Sequence, residues 1–236
     1  MKKITKKNNP LNSLLDLIFP RSCFSCNSRI SDGFICNNCL TSLEFLIEIC
    51  PICGAEKLSE NCQICARNNF QFDRARSVYH FNKIIQNLIH NLKYDELTKV
   101  AELLGKLAED YLRKSNPFSN VDLIAPVPLH SVKKRARGFN QSQLLTAVIS
   151  QRMNWEHESN LIRRNRFTET QTKLGRTDRK KNVHGAFSLS PKLNINHKNI
   201  LIVDDVFTTG ATINSISTLL KQNGANKVFA LTIARA

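Results

Sequence analysis

Residues 200–212 read Ile200-Leu-Ile-Val-Asp-Asp-Val-Phe-Thr-Thr-Gly-Ala-Thr212. Four consecutive apolar residues are what a parallel strand covered on both faces requires. This strand delivers two adjacent carboxylates, Asp204 and Asp205, to its C-terminal end, where open α/β sheets bind their ligands. The Thr208-Thr-Gly turn that follows opens a helix predicted over residues 211–222. Small residues let backbone N–H groups close around a phosphate, and the hydroxyls and the helix N-terminus add favourable dipoles. Carboxylates beside a phosphate would repel it, so they make sense only against hydroxyls or a bridging Mg²⁺. A sugar phosphate meets both demands at once.

The rest of the C-terminal two-thirds has the alternation that a parallel sheet flanked by helices produces. Ala75 to Phe81 reads as a strand, and Lys83 to Leu92 as a helix with Ile84, Ile85, Leu88 and Leu92 on one stripe. Glu96 to Arg113 is a second helix, with Val100, Leu103, Leu104, Leu107, Ala108 and Tyr111 at helical spacing. A buried strand is predicted at Val121 to Pro126, a helix at Gln141 to Met153, and a last strand at Val228 to Ile233. Gly224 stops the helix before that strand.

The 200–212 block resembles the 5-phosphoribosyl-1-pyrophosphate (PRPP) motif of type I phosphoribosyltransferases. By that resemblance Asp204 and Asp205 are the catalytic pair and hold the ribose hydroxyls. Val206, Phe207, Thr208, Thr209, Gly210, Ala211 and Thr212 form the PRPP-binding turn, with Mg²⁺ accompanying PRPP. A second stretch, Ala125-Pro-Val-Pro-Leu-His-Ser-Val-Lys-Lys-Arg-Ala-Arg-Gly-Phe-Asn-Gln141, follows a predicted strand, where those enzymes place a pyrophosphate loop. Pro128 and Leu129 frame it, and Lys133, Lys134, Arg135 and Arg137 put four cations within five residues. Such a loop suits a pyrophosphate or a nucleic-acid backbone. A third stretch, Arg163 to Asn182, carries eight positive charges and almost no apolar residues, so it reads as a loop rather than a packed element. The resemblance makes it a mobile loop closing over PRPP, with Arg176, Arg179 and Lys180 as its working cations.

Every cysteine lies between residues 23 and 65, in four C-x-x-C pairs: Cys23/Cys26, Cys36/Cys39, Cys50/Cys53 and Cys62/Cys65. A C-x-x-C turn aims two thiolates at one ion, and two turns complete a tetrahedral S₄ site. Gaps of nine, ten and eight residues suit the short hairpins of a zinc ribbon. Eight thiolates leave no open coordination position, so two structural Zn²⁺ are expected and a catalytic metal is not. Sequential and cross-braced pairings are both compatible with the spacing. The ribbons' surroundings include Glu44, Glu48, Glu56 and Glu60, so DNA binding is not assigned to them. The expected organisation is a short N-terminal helix or tail over 1–20, a double zinc ribbon over 21–68, and an α/β domain over 70–236.

The 236 residues contain 34 Lys+Arg against 19 Asp+Glu, a net +15 that favours a polyanionic partner. The best N-terminal apolar run, Leu11 to Phe19, is interrupted by Asn12, Ser13 and Asp16, too short and too polar for a signal or membrane-spanning segment. It reads as a short amphipathic helix, and a cytoplasmic location is expected. None of the six histidines forms a motif; His130 is expected to be structural, and Trp155 to be a surface anchor.

Taken together, the double ribbon, Pro126-Val-Pro-Leu-His130, Arg137-Gly-Phe-Asn-Gln141, the Gln171, Leu174, Arg179, Asn182 pattern with Gly185-Ala-Phe187, and the 203–212 block resemble the ComF family of bacterial competence proteins over residues 12–235. Lys133 stands where that family usually carries arginine, which keeps the charge and loses a bidentate fork. The resemblance implies a type I phosphoribosyltransferase-like fold and a role in natural transformation, handling incoming single-stranded DNA. It implies as partners the ComF helicase/translocase and the DNA-processing protein that loads recombinase, and a location at most peripheral to the inner membrane. A second reading is an active enzyme moving phosphoribose from PRPP to a nitrogen acceptor. With Ala236 directly after the last strand, no base-recognising hood of the purine-salvage kind is expected; with Met1-Lys2 at the start, no glutamine amidotransferase half is expected either. An acceptor pocket would then be built from the ribbons and the 70–115 helices.

Overall fold

The computed structural model describes residues 21–47, 49–56, 61–94, 97–165, 185–191 and 193–236. The expected N-terminal helix at Leu11 to Phe19 and the mobile-loop residues Arg176, Arg179 and Lys180 lie outside these ranges.

The α/β domain is built on five parallel strands: β1 (Arg74–His80), β2 (Leu123–Pro126), β3 (Glu156–His157), β6 (Asn199–Phe207) and β7 (Lys227–Arg235). Their order across the sheet is β1-β7-β6-β2-β3, and each neighbouring pair is parallel. Strand β6 is central, with β7 on one side and β2 on the other. Its apolar run divides between two layers, as strand alternation demands. Leu201 and Val203 join a core with Leu88, Leu92, Leu104, Leu145 and Ile149, from the Lys83–Tyr94, Leu97–Ser115 and Gln141–Met153 helices. Ile200 and Ile202 join the opposite core with Ile213, Ile216 and Leu220 of the Ala211–Gln222 helix. Each of these side chains is fully or nearly fully buried, worth about 1.5–3 kcal/mol of transfer free energy apiece. The two layers hold β6 so that only its C-terminal end opens to ligand.

The helix predictions at 141–153 and 211–222 coincide with the observed elements. The basic loop at 131–137 differs: Ser131–Arg137 is a helix. His130 caps it by accepting the Val132 N–H at 3.3 Å, and Gly138, at φ +85°, ends it with its N–H on the Lys134 carbonyl. Between those stops lie Lys, Arg and Ala, all good helix formers. The sequence reading as a loop also fails for Arg163 and Arg164. They lie in β4 (Ile162–Arg164), antiparallel to β5 (Phe187–Leu189), with Arg164 opposite Phe187. Trp155 is partly buried against the first core rather than standing on the surface.

The ribbons are docked on the sheet's β1 side. The Phe24–Ser25 turn of the first grips the Lys83–Tyr94 helix, where Asn87 and Asn91 side-chain amides donate to the Ser25 and Phe24 carbonyls. The link between ribbons and the second ribbon's first knuckle run along β1: the His80 N–H donates to the Glu44 carbonyl at 2.9 Å, Phe45 bridges to Tyr79, and the Ala75 N–H donates to the Ile52 carbonyl of the knuckle at 2.7 Å. Arg76, buried, donates to the Cys50 and Pro51 carbonyls.

Candidate functional site

The zinc question is settled by which sulfurs meet. Cys23, Cys26, Cys36 and Cys39 form one cluster, and Cys50, Cys53, Cys62 and Cys65 the other, each with all sulfurs within 4.8 Å of one another. Pairing is therefore sequential. All eight cysteines are free of disulfides. Sulfur–sulfur distances of 3.7 Å (Cys26–Cys36), 3.7 Å (Cys50–Cys65) and 3.6 Å (Cys53–Cys62) approach the edge of about 3.8 Å that Zn–S bonds near 2.3 Å give a tetrahedron. Burial pushes the Cys39 thiol up to about 12 and the Cys65 thiol up as well, so these sulfurs are held as thiolates only with a cation among them. The donor set fits two structural Zn²⁺.

The second site is a cleft of about 620 Å³ at the C-terminal end of β6. Strand β6 runs four residues beyond the predicted end, because its ladder with β7 continues to Phe207 opposite Arg235. The backbone of Asp204 to Phe207 is thus fixed while its side chains serve the cleft. Asp204 Oδ1 accepts from Ser142 Oγ at 2.8 Å and from the Asp205 N–H at 2.9 Å; Asp205 Oδ1 accepts from the Val206 N–H at 2.9 Å. Burial, and then the charge of Asp205, push the Asp204 carboxyl up to about 8 despite the Ser142 hydrogen bond. A cation or a pair of sugar hydroxyls would relieve that frustration.

Thr208, Gly210, Ala211 and Thr212 line the same cleft. Gly210 sits at φ +75° as the cap of the Ala211–Gln222 helix. A Cβ there would come within 2.6 Å of Phe207 Cζ, so the turn needs glycine for both its conformation and its space. Thr209 Oγ1 accepts from the Ala211 N–H at 3.4 Å, which leaves this residue partly engaged in shaping the turn.

Across the cleft, the Ser131–Arg137 helix divides its four cations. Lys133 and Arg137, four apart, are partly buried and line the cleft beside Val127, Pro128 and Leu129; Lys134 and Arg135 are exposed and point away from it. Arg137 Nη1 donates to Gln141 Oε1 at 2.7 Å. Asn140 ties the wall together: its Nδ2 donates to the Val127 carbonyl and its Oδ1 accepts the Ser142 N–H.

Several residues of this cleft were not singled out by sequence, Ser142 and Arg164 among them. Ser142 follows the Arg137–Gln141 stretch directly, and that adjacency was the available signal. Arg164 lies within a run read as loop; it lines the cleft with its guanidinium 5.5 Å from the Phe187 ring, and burial lowers its pKa while Asp204 raises it. The lining is continued by Phe81, Gln86, Ile89, His90 and Ala236. A neighbouring cleft of about 470 Å³ runs along the outer side of the Ala211–Gln222 helix, between Asn68–Phe70 and Phe187.

Residues 14–70 match the double zinc ribbon domain family. Among curated proteins, "DNA utilization protein YhgH" of Salmonella typhimurium is 34% identical over 219 residues, 90% of this chain and 96% of that protein. "Competence protein F" of Haemophilus influenzae is 28% identical, covering 91% of this chain and 96% of its own, and "Competence protein ComFC" of Bacillus subtilis is 27% identical, covering 91% and 95%. Among solved structures, the glutamine PRPP amidotransferase from B. subtilis aligns at TM-score 0.40 and 19% identity over 58% of this chain and 27% of that one. An adenine phosphoribosyltransferase aligns at TM-score 0.39 and 15% identity, over 64% and 75%. With near full-length matches to these relatives at 27–34% identity and eight cysteines gathered into two S₄ clusters, the chain belongs to the ComF family.

Proposed function

We propose that this protein serves natural transformation by handling incoming single-stranded DNA in the cytoplasm, and that its β6 cleft is a PRPP-type site. The observation carrying this reading is the convergence, in one cleft, of the Asp204–Asp205 pair, Thr208 with Gly210, Ala211 and Thr212 of the turn, and Lys133 with Arg137, while Thr209 faces the neighbouring cleft. The acids face hydroxyls or a cation, the turn faces a phosphate, and the cations face a second phosphate group. That division matches a phosphorylated ribose carrying a pyrophosphate, with free sugar hydroxyls for the acids and phosphate groups for the turn and the cations. When bound with PRPP, Mg²⁺ would supply neutralisation of the phosphate charge. In this reading Asp205 and Asp204 hold ribose hydroxyls, Ser142 fixes the orientation of Asp204, and the turn amides and hydroxyls hold the 5-phosphate. The outward Lys134 and Arg135 extend the basic surface toward a longer polyanion. Docking with a helicase/translocase and a recombinase-loading protein, with at most peripheral contact to the inner membrane, belongs to the same proposal. That no described helix is long and apolar enough to cross a membrane fits it.

A second reading is favoured by the Phe81, Gln86, Ile89 and His90 wall, which leaves room opposite the phosphate groups for a nitrogen acceptor. There the acceptor nitrogen would bond to the ribose anomeric carbon as pyrophosphate leaves. The deciding experiment is transformation frequency in a deletion strain rescued with wild type or with Asp204→Asn/Asp205→Asn at matched protein levels. Rescue by wild type alone supports the uptake role through this site. Intact transformation in the deletion strain would refute it and leave phosphoribosyl transfer as the leading reading.

A further inference from the structure

The Thr208–Thr212 turn rests on an aromatic support that begins just after the second ribbon. Phe207 is 1% exposed, and its ring lies directly beneath Gly210, close enough that a Cβ would meet it. Phe72 packs edge-on to that ring with centroids 6.2 Å apart, and Phe70 stacks on Phe72 at 4.6 Å. Residues 69–71 are pinned to the first turn of the Ala211–Gln222 helix by Asn214, whose Oδ1 accepts the Gln71 N–H at 2.6 Å and whose Nδ2 donates to the Asn69 carbonyl at 3.3 Å.

Arg235 joins this support to the metal centre. It is the β7 register partner of Phe207, so the two side chains lie side by side on one face of the sheet. Its guanidinium carbon lies 4.4 Å from the Phe207 ring centroid, and its Nη1 donates to the Cys53 carbonyl at 2.9 Å. One planar group thus clamps a zinc knuckle with its edge and the floor of the turn with its face. A lysine cannot do both, since it has neither the plane nor the fork. Charge reinforces the geometry: four thiolates on one Zn²⁺ leave a dianionic centre, and Arg235 and Arg76 place two guanidiniums on the carbonyls of its Cys50–Cys53 turn. The first ribbon is differently engaged, gripping the Lys83–Tyr94 helix through Ser25, Asn87 and Asn91.

We propose that Arg235 is a positioning residue that couples the second Cys₄ centre to the phosphate turn, making that ribbon a supporting wall of the ligand site. The inference rests on the reading of Thr208–Thr212 as a phosphate site, but the coupling itself is measurable without ligand. The experiment is hydrogen–deuterium exchange by mass spectrometry on the zinc-loaded full chain, comparing wild type, Arg235→Met and Arg235→Lys, with zinc content and Mg²⁺–pyrophosphate isotherms measured in parallel. Arg235→Met retains two zinc ions and accelerates exchange of the 208–213 amides about tenfold or more, with peptides of the Leu97–Ser115 and Gln141–Met153 helices unchanged. Pyrophosphate affinity falls in step. Arg235→Lys recovers only part of the protection. Cys62→Ser, which opens the second centre, loosens the turn, whereas Cys26→Ser, which opens the first, does not. Unchanged turn exchange in the Arg235 variants, or loss of protection spread evenly over the domain, overturns the proposal; Arg235→Lys decides it if Arg235→Met fails to fold. A turn that loosens in a protein whose wild type binds no pyrophosphate or PRPP supports the coupling and refutes the phosphate reading instead. Wild-type binding with an unchanged turn in the variants does the reverse.

Discussion

Replacing Asp204 with Asn should make the ligand-free protein more stable, and increasingly so as pH rises. Asp204 is pushed up to about 8 from an ordinary value of 3.8. Between those values the folded chain holds a proton there that the unfolded chain has already released. Unfolding therefore releases a proton, and stability falls as pH rises, by about 1.4 kcal/mol per unit while the difference is complete. The effect is absent below about pH 4 and fully developed above pH 8. Asn keeps the shape of the side chain, can still accept from Ser142 Oγ and the Asp205 N–H, and carries no charge to bury. Urea unfolding of both proteins, zinc-loaded and free of Mg²⁺ and phosphate, isolates the Asp204–Asp205 pair by difference, because titrations away from the pair are shared. The stability gap should widen by roughly 2–4 kcal/mol between about pH 5.5 and 8.5. The same substitution should weaken Mg²⁺–PRPP binding, since an amide cannot supply the charge. A gap that stays constant over that range would refute the claim that the carboxylate pair is electrostatically frustrated without ligand.

Chelation should remove two Zn²⁺ per chain and cost the ribbons their fold, visible as loss of protection over 21–68 with pyridylazoresorcinol counting the released metal. Gly210→Ala forces a side chain into Phe207 at φ +75°; it should cost about 1–3 kcal/mol in urea unfolding and abolish PRPP binding by calorimetry. Leu104→Ala, at a fully buried position, should cost about 2–5 kcal/mol without altering ligand affinity per folded molecule. Lys133→Ala should reduce pyrophosphate affinity, whereas Lys134→Ala combined with Arg135→Ala should chiefly flatten the salt dependence of single-stranded DNA binding, measured by anisotropy; equal effects in both assays would erase the distinction between inward and outward cations.

The elements that sequence located best are those whose side chains all answer to one demand. The Gln141–Met153 and Ala211–Gln222 helices have a polar cap or glycine at the start and a clear stop, and their limits were readable to the residue. Strand β6 was readable as far as Val203 and no further, because from Asp204 its side chains serve the cleft while its backbone still serves the ladder. The β4–β5 pair escaped because Ile162–Arg164 is short and basic and its partner lies across the long polar stretch. With it Arg164 escaped as a cleft residue. Lys133 and Arg137 could be separated from Lys134 and Arg135 only once the segment was known to be a helix, since that is what puts 133 and 137 on one side. The zinc pairing was undetermined for a different reason: C-x-x-C turns are local, and the partner of each is chosen by the packing of whole hairpins.

The covering of β1 has a consequence for how the protein behaves when metal is scarce. The sheet has two edges of unequal hazard. At one, β3 contributes only Glu156 and His157, too short to template another strand. At the other, β1 is seven residues long, and its outward donors at Ala75 and His80 are satisfied by Ile52 and Glu44 of the ribbon region. When the ribbons lose their metal those carbonyls leave, and the seven-residue edge is left with unpaired backbone donors. Such an edge recruits its like from a second molecule. The zinc ions therefore act as guardians of solubility, and light scattering, rather than a thermal transition, should be the first signal of their loss.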